Sequence, residues 1–493
     1  MARTVHFRLL PYFAVLSLFL FGTFASGTII RVPEDEPTIQ AGIDAAADGD
    51  TVLVSTGTYT ENINFNGKGI LVASHYVLDQ DPLTISSTVI DGSQPAQPDT
   101  ASCVLFISGE DSTSILEGFT LTGGTGTRWT DEHGAGVFVE GGGILSAFAS
   151  PTIRHNVITG NEAIRTPAGT SSAGGGGIRC GDGAPLIANN VITVNSGMYG
   201  GGIVMNYASG TIRNNIISEN RVYQAVPSAP TYGGGGIWVN GSGFQTTIEN
   251  NTIFGNSSEG TGGQTAGRGG GLLVWGATVD VLNNIIWGNT QTTGGPIRLL
   301  VASATITYCD VEGGIAGEGN IDQVPLFGPE NFYLSDGSPC IDAGDTSSVY
   351  NDPEDPGNPG SAEWPSRGGL RNDMGAYGGP ERAILADTPT LIAENPEANL
   401  PRAFALDQNY PNPFNPSTTI RYTLDKPSDV VLQIFNLRGQ RVKTLVDGSC
   451  PAGTHAVLWD GQDDHGRSTG SGIYLYRLKA GGQTLSKKMI LMK

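Results

Sequence analysis

The sequence predicts an all-β protein: a solenoid of short stacked strands, then a small Ig-like β-sandwich. Three observations carry this. A glycine cluster running into an aliphatic residue recurs: the runs end at Gly143, Gly177, Gly202, Gly236 and Gly271, followed by Ile144, Ile178, Ile203, Ile237 and Leu272. Asparagines then fall at fixed distance. Twelve residues past the aliphatic come Asn156, Asn190, Asn215 and Asn284, with Asn251 two residues late, and five further on come Asn161, Asn195, Asn220, Asn256 and Asn289. A register this regular means one supersecondary unit stacked on copies of itself. Lastly, the C-terminal stretch holds several short alternating segments separated by turns, the pattern of a sandwich.

The bulk numbers fit. A chain of 493 residues accommodates two or three domains. Its 72 glycines, about twice the usual share, sit in the repeats and their turns. With 27 Lys and Arg against 47 Asp and Glu, the formal charge is -20. That balance argues against nucleic acid or an anionic membrane as partner. A polyanionic ligand would need bridging cations or a local basic patch. Residues 1–27 read as a signal peptide: Arg3, His6 and Arg8 precede an apolar run from Leu9 to Phe21, with Ala25 and Gly27 offering a cleavage site. The mature chain then starts near Thr28, has no transmembrane segment, and is expected to be secreted or on the outer cell surface. The five scattered cysteines form no disulfide framework, although a single Cys309–Cys340 bridge is open.

Taken in order, Thr28 to Phe65 is an opening unit. Pro37 suits the first turn of a helix, Ile39 and Ile43 give it an apolar face, and Thr51 to Val54 is a strand. The stretch "RVPEDEPTIQAGIDAAADGDTVLVSTGTYTENI" resembles the amino-terminal cap of right-handed parallel β-helix proteins of the pectin-lyase-like superfamily. The resemblance implies a right-handed parallel β-helix over residues 28–325. Within it, aliphatic columns such as Ile153, Ile187 and Ile212 line the interior, and the asparagines serve left-handed turns and coil-to-coil amide bonds. His155, in a column otherwise holding Asn189, Asn214, Asn250 and Asn283, reads as a turn variant. Inserts at Arg128–His133, Ala163–Ala173, Arg221–Tyr232 and Ser257–Arg268 are expected to crowd one edge. Residues 326–380 resemble the closing segment found after many bacterial β-helices, with Pro325 to Phe327 and Phe332 to Leu334 expected over the last coil.

A linker spans 381–402, and a separate Ig-like domain spans 403–493. "ALDQNYPNPFNPSTTIRYTL" and "WDGQDDHGRSTGSGIYLYRLKAGGQTLSKKMILMK" resemble both the sorting domain of type IX secretion cargo and the FlgD-like Ig-fold tail. The resemblance implies handling by an outer-membrane secretion machinery and attachment to, or release from, the cell surface.

The superfamily's lyases and hydrolases place carboxylates on neighbouring coils, yet no column of this repeat carries a carboxylate stack. Chemistry therefore falls to the inserts. Arg128, Asp131, Glu132 and His133 are the catalytic candidates, since a carboxylate pair, a His and an Arg supply acid, base and charge stabilisation. Trp129, Tyr232, Trp238, Arg268 and Trp275 are the ligand-binding candidates, because exposed aromatics stack on sugar rings. Asp342, Asp345 and Asp373 in the acidic closing segment are the candidate calcium ligands, with turn capping as the alternative. Three functions remain open: a secreted or surface protein binding extracellular polysaccharide, a carbohydrate-active enzyme with an atypical site, or a structural surface protein.

Overall fold

The computed structural model describes residues 27–382 apart from 165–166, 226–231, 261–266 and 329–330. It also describes residues 405–491 apart from 407–408, 410–413, 415–416, 425–427, 437, 439, 451–452 and 465–466. The predicted signal peptide, most of the linker and most of the Asn409–Pro416 phrase lie outside the described residues. The chain divides into two compact units, Met1–Asp387 and Thr388–Lys493.

The first unit is a parallel β-helix. Its coils feed three long ladders of ten, nine and eight strands. One coil contributes Ile144–Ala147, Thr152–Arg154 and Val157–Thr159, and the next contributes Ile178–Gly181, Leu186–Ala188 and Val191–Thr193. The aliphatic residue after each glycine cluster sits directly on its counterpart: Ile144 on Ile178, then Ile203, Ile237 and Leu272. All five are fully buried in one continuous core with Ile153, Ile187, Ile212 and Ile248. A stack ends in open backbone and core, so it needs a plug. The helix Ile39–Ala45 supplies one, burying Ile39 and Ile43 against Val32 and Val52. Thr38 caps it by accepting the Ala41 N–H at 3.1 Å. Pro37 therefore lies just outside the helix instead of in its first turn, because the Thr38 hydroxyl sets the start.

The glycine clusters are where coil backbones run nearest one another. Gly142 and Gly143 donate to the carbonyls of Gly175 and Gly176, and the pattern repeats down the stack. A Cβ on Gly177 would lie 2.6 Å from the Gly202 carbonyl oxygen. Gly175 and Gly234, each second in its cluster, have φ 67° and 69°, a region that excludes most side chains.

The asparagines divide into two roles. Asn156, Asn190, Asn215, Asn251 and Asn284 form one buried amide ladder, and Asn161, Asn195, Asn220, Asn256 and Asn289 form another. In each, the backbone N–H and Nδ2 donate to the Oδ1 of the next coil, as Asn190 does to Asn215 at 2.9 and 3.0 Å. The left-handed turns belong to the residue before: His155, Asn189, Asn214, Asn250 and Asn283 all have φ between 51° and 57°. His155 is thus a turn residue, its Nδ1 2.8 Å from Glu117 Oε1.

That left-handed column also receives the closing segment. Asn283 Oδ1 accepts from Asp345 N, Asn250 Nδ2 donates to Asn372 Oδ1, Asn214 Nδ2 donates to Ala376 and Gly378 carbonyls, and Asn189 Nδ2 donates to Glu381 O. The segment climbs the flank of the stack, which corrects the expectation that it covers the last coil. Phe327 and Phe332 pack on Phe254, and Leu334 packs with Ile285, Cys340 and Met374. Polar turns on successive coils offer a row of amides, and the segment's backbone uses them. The Cys309–Cys340 bridge is absent, as all five cysteines are free. Cys309 Sγ instead ends one ladder by accepting from Asn284 N at 3.4 Å.

The second unit holds a three-stranded and a four-stranded antiparallel sheet around a core that includes Ile420, Tyr422, Val430, Leu432, Trp459 and Tyr476. Thr418–Leu424, Ser428–Asn436, Arg441–Cys450, Gly453–Trp459 and Gly472–Ala480 match the alternating segments of the sequence, and Gln483–Leu491 adds a closing strand. No helix among the described residues is long and apolar enough to cross a membrane.

Candidate functional site

Along the glycine-led ladder, alternate side chains point away from the core. Arg179, Val204 and Trp238 stand on one such row, and Asn206, Asn240 and Trp275 on the next, paired strand to strand. The insert at residues 128–133 covers this face as a hairpin. Gly126–Thr130 pairs antiparallel with Val137–Glu140, and the latter pairs in parallel with Ser172–Gly174. Asp131 organises the tip: its Oδ1 accepts the N–H of His133 at 2.9 Å and of Ala135 at 3.0 Å.

Arg179 pins the hairpin to the coil. It is fully buried. Its two terminal nitrogens each lie 2.5 Å from a Glu132 carboxylate oxygen, a bidentate fork. Nε lies 2.8 Å from Glu140 Oε2, a charge contact without hydrogen-bond alignment. Tyr199 donates to Glu140 Oε1 at 2.5 Å, and the Trp129 indole N–H to Glu132 Oε1 at 2.9 Å. The two carboxyls are pushed apart. Burial raises both, but the Arg179 bonds and charge outweigh it at Glu132, whose pKa is lowered. At Glu140 burial prevails over Arg179, helped by the Glu132 and Asp131 charges, and its pKa is raised.

Between the hairpin and the ladder lies a pocket of about 210 Å³. Its apolar walls are Phe138, Tyr199, Tyr207, Tyr232, Trp238 and Trp275, and its polar lining includes Asp131, His133, Glu140, Asn206 and Asn240. His133 stacks on Tyr207 with ring centroids 3.6 Å apart, and its Nε2 lies 3.0 Å from Asp182 Oδ1. Asn240 donates to Asn206 Oδ1 at 2.8 Å, and Asn206 donates to Asp131 Oδ2 at 3.1 Å. Tyr199 and Trp238 pack with centroids 5.1 Å apart, while Trp275 is 39% exposed and stands at the rim.

Among the sequence candidates, Asp131, His133, Tyr232, Trp238 and Trp275 meet around this pocket. The four catalytic candidates do not act as one group. Glu132 is locked behind the wall by Arg179, and Arg128 Nη1 donates outward to Ala168 O at 3.2 Å. Trp129 supports Glu132 and does not line the pocket. Arg268 sits on a backbone bridge between Gly233 and Thr293, also off the pocket lining. Trp238 is only 7% exposed, so it is a wall packed in a cluster and not the free outward ring expected. Glu140, Arg179, Tyr199, Phe138, Tyr207 and the two asparagines join the site from outside the sequence candidates. One signal for them exists: Arg179 is the lone charge in an outward column of Leu145, Val204, Trp238 and Leu273.

The three metal candidates do not assemble into a ligand set. Asp342 accepts from Gly369 N, Asp345 from Ser347 N, and Asp373 from Asp342 N and Arg367 N, so they cap turns. No cluster of three or more His, Cys, Asp or Glu among the described residues is arranged to hold a metal. Burial, with the Asp373 charge nearby, pushes Asp352 up to about 8, and burial pushes Asp373 up to about 7, against the backbone N–H groups that bind each. Both groups hold protons more tightly folded than unfolded. Their stabilising effect is therefore complete below the ordinary carboxylate range and lost as pH rises through these values. The amides of Met374, Gly375 and Gly378, bonded to Cys340, Asn283 and Gly375 carbonyls, are expected to exchange faster at about pH 9 than at about pH 5 after correction for intrinsic rates. Equal corrected rates would show that the segment does not sense these carboxyls.

Residues 68–291 match the family described as right handed beta helix region, and residues 415–483 match the FlgD Ig-like domain. Among solved structures, dimeric latent PorU from Porphyromonas gingivalis is similar at 25% identity over 18% of this chain and 9% of that one, with a TM-score of 0.16. PorZ from the same organism, an essential bacterial surface component of the type-IX secretion system, is similar at 15% identity over 18% of this chain and 12% of that one, with a TM-score of 0.14. The chain therefore spans only about a tenth of each of these proteins. No curated protein matches it.

Proposed function

We propose that this chain, a right-handed parallel β-helix followed by a FlgD-type Ig domain, is exported and binds extracellular polysaccharide in the pocket under the 126–140 hairpin. The observation that carries the reading is the lining: six aromatic rings surround amide and carboxylate groups on a rigid outer face. Aromatic rings offer flat apolar faces to a sugar ring, and the amides and carboxylates offer partners to its hydroxyls. Export rests on the signal-like residues 1–27 and the sorting-like motif after Ala403. The Ig domain is then the part that an outer-membrane secretion machinery handles, leaving the protein on the cell surface or in the medium.

The test is retention of the mature chain on immobilised neutral, acidic and amino polysaccharides. Trp275→Ala is the informative variant, because Trp238 is packed in a cluster and its removal would also disturb the fold. Trp275→Ala is expected to weaken retention about fivefold to tenfold with an unchanged melting temperature. Unaltered retention would remove the pocket from the reading. The same panel, scored for new reducing ends, separates binding from catalysis: sustained product release would replace this proposal with a carbohydrate-active enzyme.

A further inference from the structure

The pocket is aromatic and at the same time negatively charged. Glu140 and Asp131 both line it, and no Lys or Arg among the described residues does. The cation in contact with this lining, Arg179, is fully buried and already held by Glu132 and Glu140. Two carboxylates, Glu132 and Glu140, thus face one guanidinium, while Asp131 on the lining accepts from Asn206 Nδ2 and two backbone N–H groups and Asp182 lies beside His133. Glu140 belongs to the lining and is 3% exposed, with its Oε2 2.8 Å from Arg179 Nε and its Oε1 accepting from Tyr199. The rings matter electrostatically as well as sterically. An aromatic face carries negative potential, so several faces together form a cage for a cation.

Deepening the polysaccharide reading and resting on it, we infer that the ligand group seated in this pocket carries an ammonium ion: the sugar of choice is a hexosamine with a free amino group. The cation sits among Tyr199, Tyr207, Trp238 and Trp275, with Glu140 and Asp131 as counter-charges. An acetylated or neutral sugar has nothing to offset the carboxylates, and a uronate is repelled by them. The chain's formal charge of -20 favours approach of a polycation in the same sense. Burial, and after it the Glu132 and Asp131 charges, raises the Glu140 pKa, and a bound ammonium would favour its charged form.

The experiment compares binding of chitosan oligosaccharides, their fully N-acetylated counterparts and tetramethylammonium chloride to the mature chain, read by tryptophan fluorescence and calorimetry below the pKa of the sugar amine. The amino oligosaccharide is expected to bind at least about tenfold more tightly than its acetylated form. Glu140→Gln is expected to erase most of that preference, and raising the pH until the amine is neutral to erase it in the wild type. Because Glu140→Gln also touches the Arg179 cluster, Trp275→Ala serves as the second variant and should weaken both cations. Equal affinity for the amino and acetylated forms would overturn the ammonium assignment and leave polysaccharide binding standing. Binding of tetramethylammonium with no glycan bound would keep the ammonium cage and overturn the polysaccharide reading, pointing to a small quaternary amine or headgroup. No binding of any probe would overturn both.

Discussion

Replacing Arg179 by methionine is expected to destabilise the β-helix by roughly 3–5 kcal/mol, the usual cost of removing one partner from a buried ion pair. The side chain is fully enclosed, and its loss leaves Glu132 and Glu140 buried with no cation between them. Two further readouts separate this electrostatic account from simple loss of packing. The deficit should shrink as the pH is lowered, because the orphaned carboxyls take up protons and cease to repel. The triple replacement Arg179→Met, Glu132→Gln, Glu140→Gln should recover most of the melting temperature, since it removes the charges together. A deficit that is independent of pH and survives in the triple variant would mean that Arg179 acts by shape alone. Hydrogen exchange should also show the 126–140 hairpin loosening first, as Arg179 Nη1 and Nη2 are what tie Glu132 to the coil.

The second large effect is expected at Asn215. Its Nδ2 donates to Ile187 O, Arg213 O and Asn251 Oδ1, and its Oδ1 accepts two bonds from Asn190. Asn215→Ala should cost about 3–5 kcal/mol, because each buried polar group left unpaired costs about 1–3 kcal/mol. Asn215→Asp keeps the shape and the acceptor but loses the side-chain donors and buries a charge, so it should be no better than alanine at neutral pH. Ser209, at an exposed corner of the same coil, provides the control: Ser209→Ala removes only its exposed bond from Gln245 N and should shift the melting temperature little. If Asn215→Ala melts with the wild type, the ladder is decoration on a helix held by its aliphatic columns alone.

The repeat is legible because a stack forces one residue type to recur at one offset. Ile144 to Leu272 and Asn156 to Asn284 can be aligned by counting, and counting is what register means in a parallel ladder. The pocket is legible only in part. Asp131, His133, Tyr232, Trp238 and Trp275 stand out as unusual residues in inserts or on outward rows. Their partners do not, since Glu140 and Arg179 meet only when a hairpin folds back over a later coil, and no period links them. An outward row suggests a free ring at Trp238, yet the hairpin and Tyr199 cover it. The closing segment escapes the sequence for a similar reason. Asn189, Asn214, Asn250 and Asn283 satisfy the turn geometry by themselves, so nothing in the sequence announces that their amides also hold a second segment.

The two amide ladders have a further consequence. Every coil offers the same donors to one neighbour and the same acceptors to the other, so any repeat interface between Asn156 and Asn289 is interchangeable with the next. Length is therefore a free parameter of this architecture: each added coil lengthens the molecule by one strand spacing, about 4.8 Å, without asking its neighbours to change. The body works as a ruler with identical graduations, and the pocket, built from side chains on particular coils, marks a fixed reading along it.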